Sequence, residues 1–281
     1  MTLTVALAYD MLRVEEKLIY NALVEHAVKP YLINVTNTPL PCNTAFNAVI
    51  VRPVSMFKAL HAAAAFWSKN LLTINPWYTI ITSGDKILAY TIMEKAQIPI
   101  PKTMFALSSR SLLKTVSELG FPLVDKPAYG SWGRLVSLIS NLETAKIVAE
   151  HREVVKSPLI QHHVVQEYIN CGGSDIRCII VFDEIAGCMY RKAGLGEWRS
   201  NIALGGRGEA YKVEPEVEEL TYKISELFQG FFLGVDFLHD NERGYLVNEV
   251  NGVPEFREFI RATGVDVAKL LVKKLLEFIK R

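Results

Sequence analysis

Short apolar runs separated by charged, helically spaced stretches set the pattern at the start of the chain. Leu3 to Tyr9 is apolar and strand-like, Val14 to Ala27 is charged and periodic, and Tyr31 to Val35 and Ala48 to Pro53 are again apolar. That order predicts strand, helix, strand, strand, as in a small α/β unit with a mostly parallel sheet. Between Thr73 and Asp85, the residues Asn75, Pro76, Ser83 and Gly84 supply turn chemistry and predict a boundary, with a helix following from Lys86 to Ala96. Ile98-Pro99-Ile100-Pro101 predicts an extended lead into a second unit, because residues before proline are biased away from the helical region.

In that second unit a helix is expected from Ser109, stopped by Gly120-Phe121-Pro122, and Leu123 to Pro127 reads as a strand that delivers Lys126 to its end. The loop Ala128-Tyr129-Gly130-Ser131-Trp132-Gly133-Arg134 follows, flanked by a strand from Leu135 to Ile139. Its two glycines would let backbone N–H groups approach an anion such as a phosphate, and a plain turn between strands fits equally well. Val164 to Ile169 is strand-like, and its backbone from Glu167 to Ile169 could meet the rim of an adenine, while Asp175 could accept from ribose hydroxyls. Arg191, and Arg199 with Asn201 ahead of Gly205-Gly206, add guanidinium groups and an amide suited to forked recognition of carboxylate or phosphate; surface arginines that only solvate a loop are the ordinary alternative. Val213 to Gln229 reads as an amphipathic helix with acidic residues in its first turns, which suits the helix dipole.

The last apolar strand, Leu246-Val247-Asn248-Glu249-Val250-Asn251, places Glu249 and Asn251 on one face and Val250 in the core. With Asp236 on a neighbouring strand, these oxygen donors suit Mg²⁺ held jointly with nucleotide phosphates. An edge strand with solvated polar residues shows the same alternation.

Composition narrows the partners. The chain has 281 residues, half of them hydrophobic and 22% charged, enough for a large core and for two domains or one domain with subdomains. A balance of 31 basic and 30 acidic residues carries no polyelectrolyte signature, so no nucleic acid partner is expected. No apolar run is long enough for a membrane span and the N-terminus does not read as a signal peptide, which makes the cytoplasm the expected location. Cys42, Cys171, Cys178 and Cys188 form no CxxC pair and no histidines cluster with them, so no structural zinc site is expected, and Cys178 and Cys188, in apolar strand-like runs, read as buried free thiols.

Taken together, Lys86, Asp125-Lys126-Pro127, the Gly130 to Arg134 loop, Gln166 to Ile169, Asp175-Ile176-Arg177, Arg199-Ser200-Asn201, Asp236 and Asn248 to Asn251 resemble an ATP-grasp ligase of the RimK-like group, over almost the whole chain. Glu197 to Gly206 and Pro254-Glu255-Phe256-Arg257 look most like the LysX/ArgX family, whose members attach glutamate or α-aminoadipate to the C-terminal glutamate of the small acidic carrier protein LysW. The resemblance implies an α/β (α+β) ATP-grasp fold. Residues 1–85 would form the preATP-grasp domain, 86–163 a central subdomain with the phosphate-covering loop, and 164–281 a C-terminal subdomain with the Mg²⁺ and substrate sites. The two ATP-grasp subdomains would sandwich ATP.

Position by position, Lys86 and Lys126 would contact ATP phosphates, Gly130, Ser131, Trp132, Gly133 and Arg134 would cover them, Glu167 and Tyr168 would hold adenine, and Asp175 ribose. Asp236, Glu249 and Asn251 would bind Mg²⁺, with two ions expected. Arg191, Ile202, Ala203, Glu255, Phe256, Arg257, Glu258 and Phe259 would lie near the amino acid. Arg177, Arg199 and Asn201 would act at the reacting groups, with Asn201 also touching ATP. ATP would convert the carrier's carboxylate to an acyl-phosphate that the substrate amine attacks, with no protein nucleophile. The family also implies a homo-oligomer, dimer or tetramer.

One departure bears on specificity. In the resemblance, glutamate enzymes carry Gly-Phe after the Glu-Phe-basic triplet and aminoadipate enzymes carry Asn and a small residue; here the pair is Glu258-Phe259. Phe259 and Val253-Pro254 side with glutamate, and a pocket separates substrates one methylene apart by only about 1 to 3 kcal/mol, so action on both stays open. A RimK-like ligase with another acceptor and a non-catalytic nucleotide-binding module are the other readings. Lys58 near Arg52, or Arg257 and Arg261, are candidate contacts for an acidic carrier.

Overall fold

The first apolar run becomes the centre of a parallel sheet because both of its faces are covered. The computed structural model describes residues 3–42, 45–155 and 157–281. Strands β1 (Thr4–Tyr9), β2 (Lys29–Asn34), β3 (Ala48–Val51) and β4 (Thr73–Ile74) lie in the order β2-β1-β3-β4, and the paired strands run parallel. Val5 and Leu7 pack towards helix α1 (Val14–Glu25), while Ala6 and Ala8 pack against helix α2 (Met56–Trp67), as period-two alternation requires. The segment Thr73 to Asp85, expected as a turn-rich boundary, contains a further helix, α3 (Trp77–Gly84). Its hydroxyls bond back along the helix, Thr82 to the Tyr78 carbonyl and Ser83 to the Thr79 carbonyl, so residues that read as turn formers here satisfy themselves within a helix.

Helix α4 (Lys86–Lys95) begins at Asp85, whose carboxylate accepts from the N–H groups of Ile87 and Leu88. The expected extended segment after it pairs with the last strand of the fold, Val247 N–H donating to the Pro99 carbonyl at 2.8 Å. A second, antiparallel sheet of β5 (Thr103–Ala106), β6 (Leu123–Pro127), β7 (Ser137–Ile139) and β8 (His163–Glu167) has the order β5-β8-β6-β7 and is covered by α5 (Ser109–Leu119) and α6 (Leu142–Val154), with the short α7 (Pro158–Gln161) beside β6. Strand β8 lies inside this sheet, between β5 and β6, so a division at 163/164 would split it. Strand β7 starts two residues later than expected, because Leu135 has φ +58° and cannot extend the strand.

The third sheet has the order β11-β10-β9-β12-β13, formed by β9 (Ser174–Val181), β10 (Glu184–Lys192), β11 (Arg207–Tyr211), β12 (Phe232–Asp240) and β13 (Gly244–Asn251). One face, with Ile176, Cys178, Ile180, Val235 and Phe237, packs on α8 (Pro215–Phe228) and α4. On the other face Ile179 and Val181 meet Phe256, Phe259 of α9 (Arg257–Thr263), and α10 (Val267–Ile279). Helix α10 also packs on α1, joining the end of the chain to its first sheet. Among the described residues no helix is long and apolar enough to cross a membrane.

Cys178 and Cys188, expected as free thiols, are joined as a disulfide. They face each other in the antiparallel β9/β10 register with Cα atoms 4.0 Å apart, a pairing the sequence hides unless the tight hairpin at Asp183 is recognised. Cys42 and Cys171 are free.

One buried charge cluster ties the first sheet to the third. Glu16, fully buried in α1, bonds Arg13 at 2.8 Å and Arg52 at 3.2 Å, and Arg52 donates to the Pro254 carbonyl at 2.9 Å. Burial opposes ionisation of Glu16, but the two guanidinium groups outweigh it and hold its carboxyl below the usual range. Its contribution to stability is therefore present above the ordinary glutamate pKa of about 4.3 and lost as pH falls through the depressed folded-state value. Glu16→Gln should cost about 3 to 5 kcal/mol by leaving Arg52 buried without a counter-charge. Urea unfolding at neutral pH measures the loss, and the variant should show a correspondingly weaker acid dependence.

Candidate functional site

The site begins with strand alternation on the third sheet. In the β12/β13 register Asp236 opposes Glu249 and Gly234 opposes Asn251. On the other side of β12, Arg177 opposes Asp236, and on β10 Arg191 opposes Asp175. All of these project from the face opposite the α8 core. Arg177 donates to both oxygens of Asp236, Nε at 2.7 Å and Nη2 at 2.6 Å, and Arg191 Nη2 adds a third bond at 2.8 Å. Burial raises the Asp236 pKa, yet Arg177 and Arg191 overcome it and pull the carboxyl down to about 2.

Two expectations change here. Asp175, expected to accept from ribose, has both oxygens occupied by Nε and Nη2 of Arg191. Arg191, expected beside the amino acid, is 2% exposed and serves first as the shared counter-ion of Asp175 and Asp236.

The facing wall comes from α4 and the second sheet. Lys126, at the end of β6, donates from Nζ to Asn248 Oδ1 at 2.8 Å. Lys86 donates from Nζ to the Gly130 carbonyl at 2.9 Å and pairs with Glu249 at 3.0 Å. Burial lowers the Lys126 pKa to about 8, assisted by Lys86 and opposed by Glu249. The two lysines expected at phosphate thus converge on the acidic strand. Tyr90 backs them, its one hydroxyl proton shared between Gln166 Oε1 at 3.2 Å and the Asn248 carbonyl.

Tyr90, Gln166 and Asn248 were not picked out as site residues from the sequence. Tyr90 lies one helical turn after Lys86, a spacing that would have found it. Asn248 was not readable, because strict alternation would turn it away from Glu249. The register steps from Asp236↔Glu249 to Phe237↔Val247, so Asn248 is the extra residue of a β-bulge, which re-aims its side chain.

The glycine loop closes between these walls. Trp132 at φ +61° and Gly133 at φ +68° turn it back, and a Cβ on Gly133 would stand 2.7 Å from Asn201 Oδ1. Arg199, expected at the reacting groups, donates from Nη1 to the Gly133 carbonyl at 2.8 Å while Glu197 holds its other edge at 2.7 Å. Arg134 lies over the Trp132 ring at 4.6 Å. At the loop's foot, the Leu135 carbonyl accepts from Arg152 at 2.7 Å, and Arg152 is fixed by buried Asp125, also at 2.7 Å. The Glu167 carboxylate is committed to the Lys102 N–H and to Arg243, both at 2.6 Å, and the Tyr168 N–H donates to the Pro122 carbonyl at 3.1 Å. Tyr168 also lines the first cavity.

Two cavities meet beneath the loop. The first, about 110 Å³, lies between Lys86, Lys126, Asp175, Asp236 and Tyr168. The second, about 530 Å³, is lined by Arg13, Ile202, Ala203, Glu255, Arg257 and Glu258. Ser131, Trp132, Arg191, Asn201 and Glu249 border both, so the two communicate. Arg13 was missed because a lone arginine before a helix carries no sequence signal.

Phe256 and Phe259, expected beside the amino acid, are instead fully buried core residues, with Phe256 packed against Phe232. In the Glu-Phe-Arg-Glu-Phe run the charged side chains face the cavity and the two rings face the core. Glu258 bonds Arg261, which offsets the added anion. Arg52, considered for docking, is 1% exposed and cannot meet a partner, while Lys58 pairs with Asp10 at 3.6 Å.

The residues present fit a hard cation. Asp236 and Glu249 supply carboxylate oxygens and Asn251 an amide oxygen; the Asn251 side-chain nitrogen is buried without a partner, so no hydrogen bond of that nitrogen stops the amide from turning its oxygen to the cation. Among the described residues no cluster of three His, Cys, Asp or Glu stands together, so the set is two carboxylates and an amide. The Asp236 oxygens already accept three guanidinium N–H bonds.

A RimK-like ATP-grasp domain matches residues 83–275. Over 279 residues the chain is 44% identical to a glutamate–LysW ligase ArgX of Sulfurisphaera tokodaii, with 98% of each chain covered. It is 34% identical over 283 residues to an alpha-aminoadipate–LysW ligase LysX of the same organism, covering 97% of this chain and 98% of that one. A RimK domain ATP-grasp protein from Sphaerobacter thermophilus shares the fold with a TM-score of 0.79 at 24% identity, over 96% of this chain and 98% of its own. The matched stretch runs from the end of α3 into α10 and contains both walls of the cavity, so the chain belongs to the RimK-like ATP-grasp family.

Proposed function

We propose that this chain is a cytoplasmic, ATP-dependent carboxylate–amine ligase that joins the amino group of glutamate to the C-terminal glutamate of a LysW-type acidic carrier protein, with α-aminoadipate as a second amine. The observation that carries the reading is the junction of the two cavities. A cavity walled by two lysines and an acidic strand opens into a larger one lined by arginines and glutamates, with Glu249, Asn201 and Trp132 at the border. Such a junction brings a nucleotide phosphate, a carboxylate and an amine together. The higher identity to the glutamate enzyme favours glutamate over α-aminoadipate.

In this reading Lys86 and Lys126 hold the phosphates, while Arg191 borders both cavities and Arg177 lines the second, each held in place by its carboxylate partners. A carboxylate oxygen of the carrier attacks the terminal phosphorus of ATP and ADP leaves. The amine then attacks the acyl carbon, phosphate departs with the C–O bonding pair, and the amine proton passes to solvent. Glu249, Asn251 and Asp236 would hold Mg²⁺, which supplies neutralisation of phosphate charge when bound. Arg199 and Asn201 keep the loop closed so that water does not reach the acyl-phosphate. Catalysis rests on position and fixed charge rather than on a protein nucleophile.

ADP release from the purified protein with Mg-ATP and a LysW-type carrier, together with the carrier's mass, tests the reading. A mass gain with glutamate is expected, and a smaller rate with α-aminoadipate. ADP release that needs an amine but leaves this carrier's mass unchanged would redirect the acceptor, and ATP binding without turnover would favour a non-catalytic module. Glu249→Gln should lower ADP formation by about 10² to 10³-fold, the several kcal/mol a metal contributes, with an unchanged melting temperature. Ordinary turnover in that variant would remove Glu249 from the metal set.

A further inference from the structure

The loop over the nucleotide cavity is fastened at its tip by three side chains that the ligase reading does not use together. The Trp132 indole Nε1 donates to Glu255 Oε2 at 3.2 Å. The other oxygen of Glu255 accepts from Arg13 Nη1 at 2.7 Å. Arg13 is itself fixed, since its Nε and Nη2 donate to the two oxygens of Glu16 at 3.1 and 2.8 Å, and Glu16 is buried against Arg52. The tip of a loop belonging to the second sheet is thus tied, through the segment after β13, to the residue that caps α1.

Two observations give this tie a role. The cavity beneath the loop holds about 110 Å³, small beside the roughly 300 to 1,000 Å³ of small-molecule sites, so a nucleotide fits only when a wall moves, and the loop of residues 128–136 is a wall that lies outside helix and strand. When the loop lifts, the Trp132–Glu255 bond must break. The Arg13–Glu255 bond need not, because neither partner belongs to the loop. Arg13 keeps the Glu255 carboxylate, whose side chain is 42% exposed, aimed at the indole position in the loop's absence. An exposed glutamate without that support would sample many rotamers and seldom present an acceptor there.

We propose that Trp132, Glu255 and Arg13 form a latch for the covering loop, with Arg13 as a positioning residue that holds the receiving half in place. This rests on the ligase reading, since closure matters only if the loop covers phosphates. An unlatched loop admits water, whose attack on the acyl-phosphate returns the carboxylate and free phosphate, so ATP is consumed without an amide.

Trp132→Phe tests this most sharply, because it keeps the ring under Arg134 and removes only the N–H. Hydrogen exchange of the backbone amides of residues 131–136, read by mass spectrometry without nucleotide and with Mg-ADP, reports loop opening. The ratio of ADP to amide product reports leakage. The expected result is about tenfold faster exchange, the weight of one hydrogen bond, with a ratio above one and an unchanged melting temperature. Arg13→Lys should give the same loop signature, and the double variant should be no worse than either single one, because both break one chain. Unchanged exchange in both single variants, with Mg-ADP still bound, overturns the latch and leaves the ligase standing. Failure of the unaltered protein to bind Mg-ADP overturns both.

Discussion

Asp236 sits 2% exposed in the middle of the third sheet, where an unpaired carboxylate would cost several kcal/mol. Arg177 and Arg191 remove that cost from two neighbouring strands, and Arg191 is in turn balanced by Asp175. Across β10, β9 and β12 each charge faces one of opposite sign, Arg191 beside Asp175 and Arg177 beside Asp236, while Glu249 on β13 lies opposite Asp236 with the same sign and is met by Lys86 from α4. Each group is tolerable in its place only because its neighbour is there. Interlocking of this kind fixes the wall before any ligand arrives and keeps side-chain rearrangement during phosphoryl transfer small, which is the condition for electrostatic preorganisation.

Much of this was readable in one dimension. Alternating apolar runs gave the parallel first sheet, and Glu249 with Asn251 on one face of β13 followed from period two alone. The family resemblance led to the RimK-like ATP-grasp fold, which the matching domain bears out. The features that escaped are those decided between segments. Asn248 enters the site only because the ladder slips by one residue. Phe256 and Phe259 read as pocket residues beside charged neighbours, yet their rings follow the core-facing side of α9. The Cys178–Cys188 bridge depends on a hairpin register, and the occupation of Asp175 by Arg191 depends on the pairing of β9 with β10. A single sequence carries no record of which strand lies beside which.

The covering loop shows the same division between local and distant causes. Its turn is local, set by Gly133 and by Trp132 and Leu135 in left-handed backbone. Its closure is distant, held at the foot by Arg152 on Asp125, along its length by Arg199, and at the tip by Glu255. These anchors come from a helix of the second sheet, from the stretch after β10 and from the segment after β13. Loop position is therefore a property of the assembled molecule, and a peptide of residues 128–136 would carry little of it.

Helix α10 closes the core of the first sheet although it is the last element of the chain. A ribosome that has released β1 to β4 has produced α1, which covers Val5 and Leu7, but not α10, so the apolar side chains that α1 shares with α10 stay uncovered until that helix emerges. The first unit therefore completes its core only after residues 267–279 are made, later than a domain that folds as a unit during synthesis. The first unit waits on this distant helix, with long-range contacts that slow folding in exchange for joining the walls of the cleft to a single core.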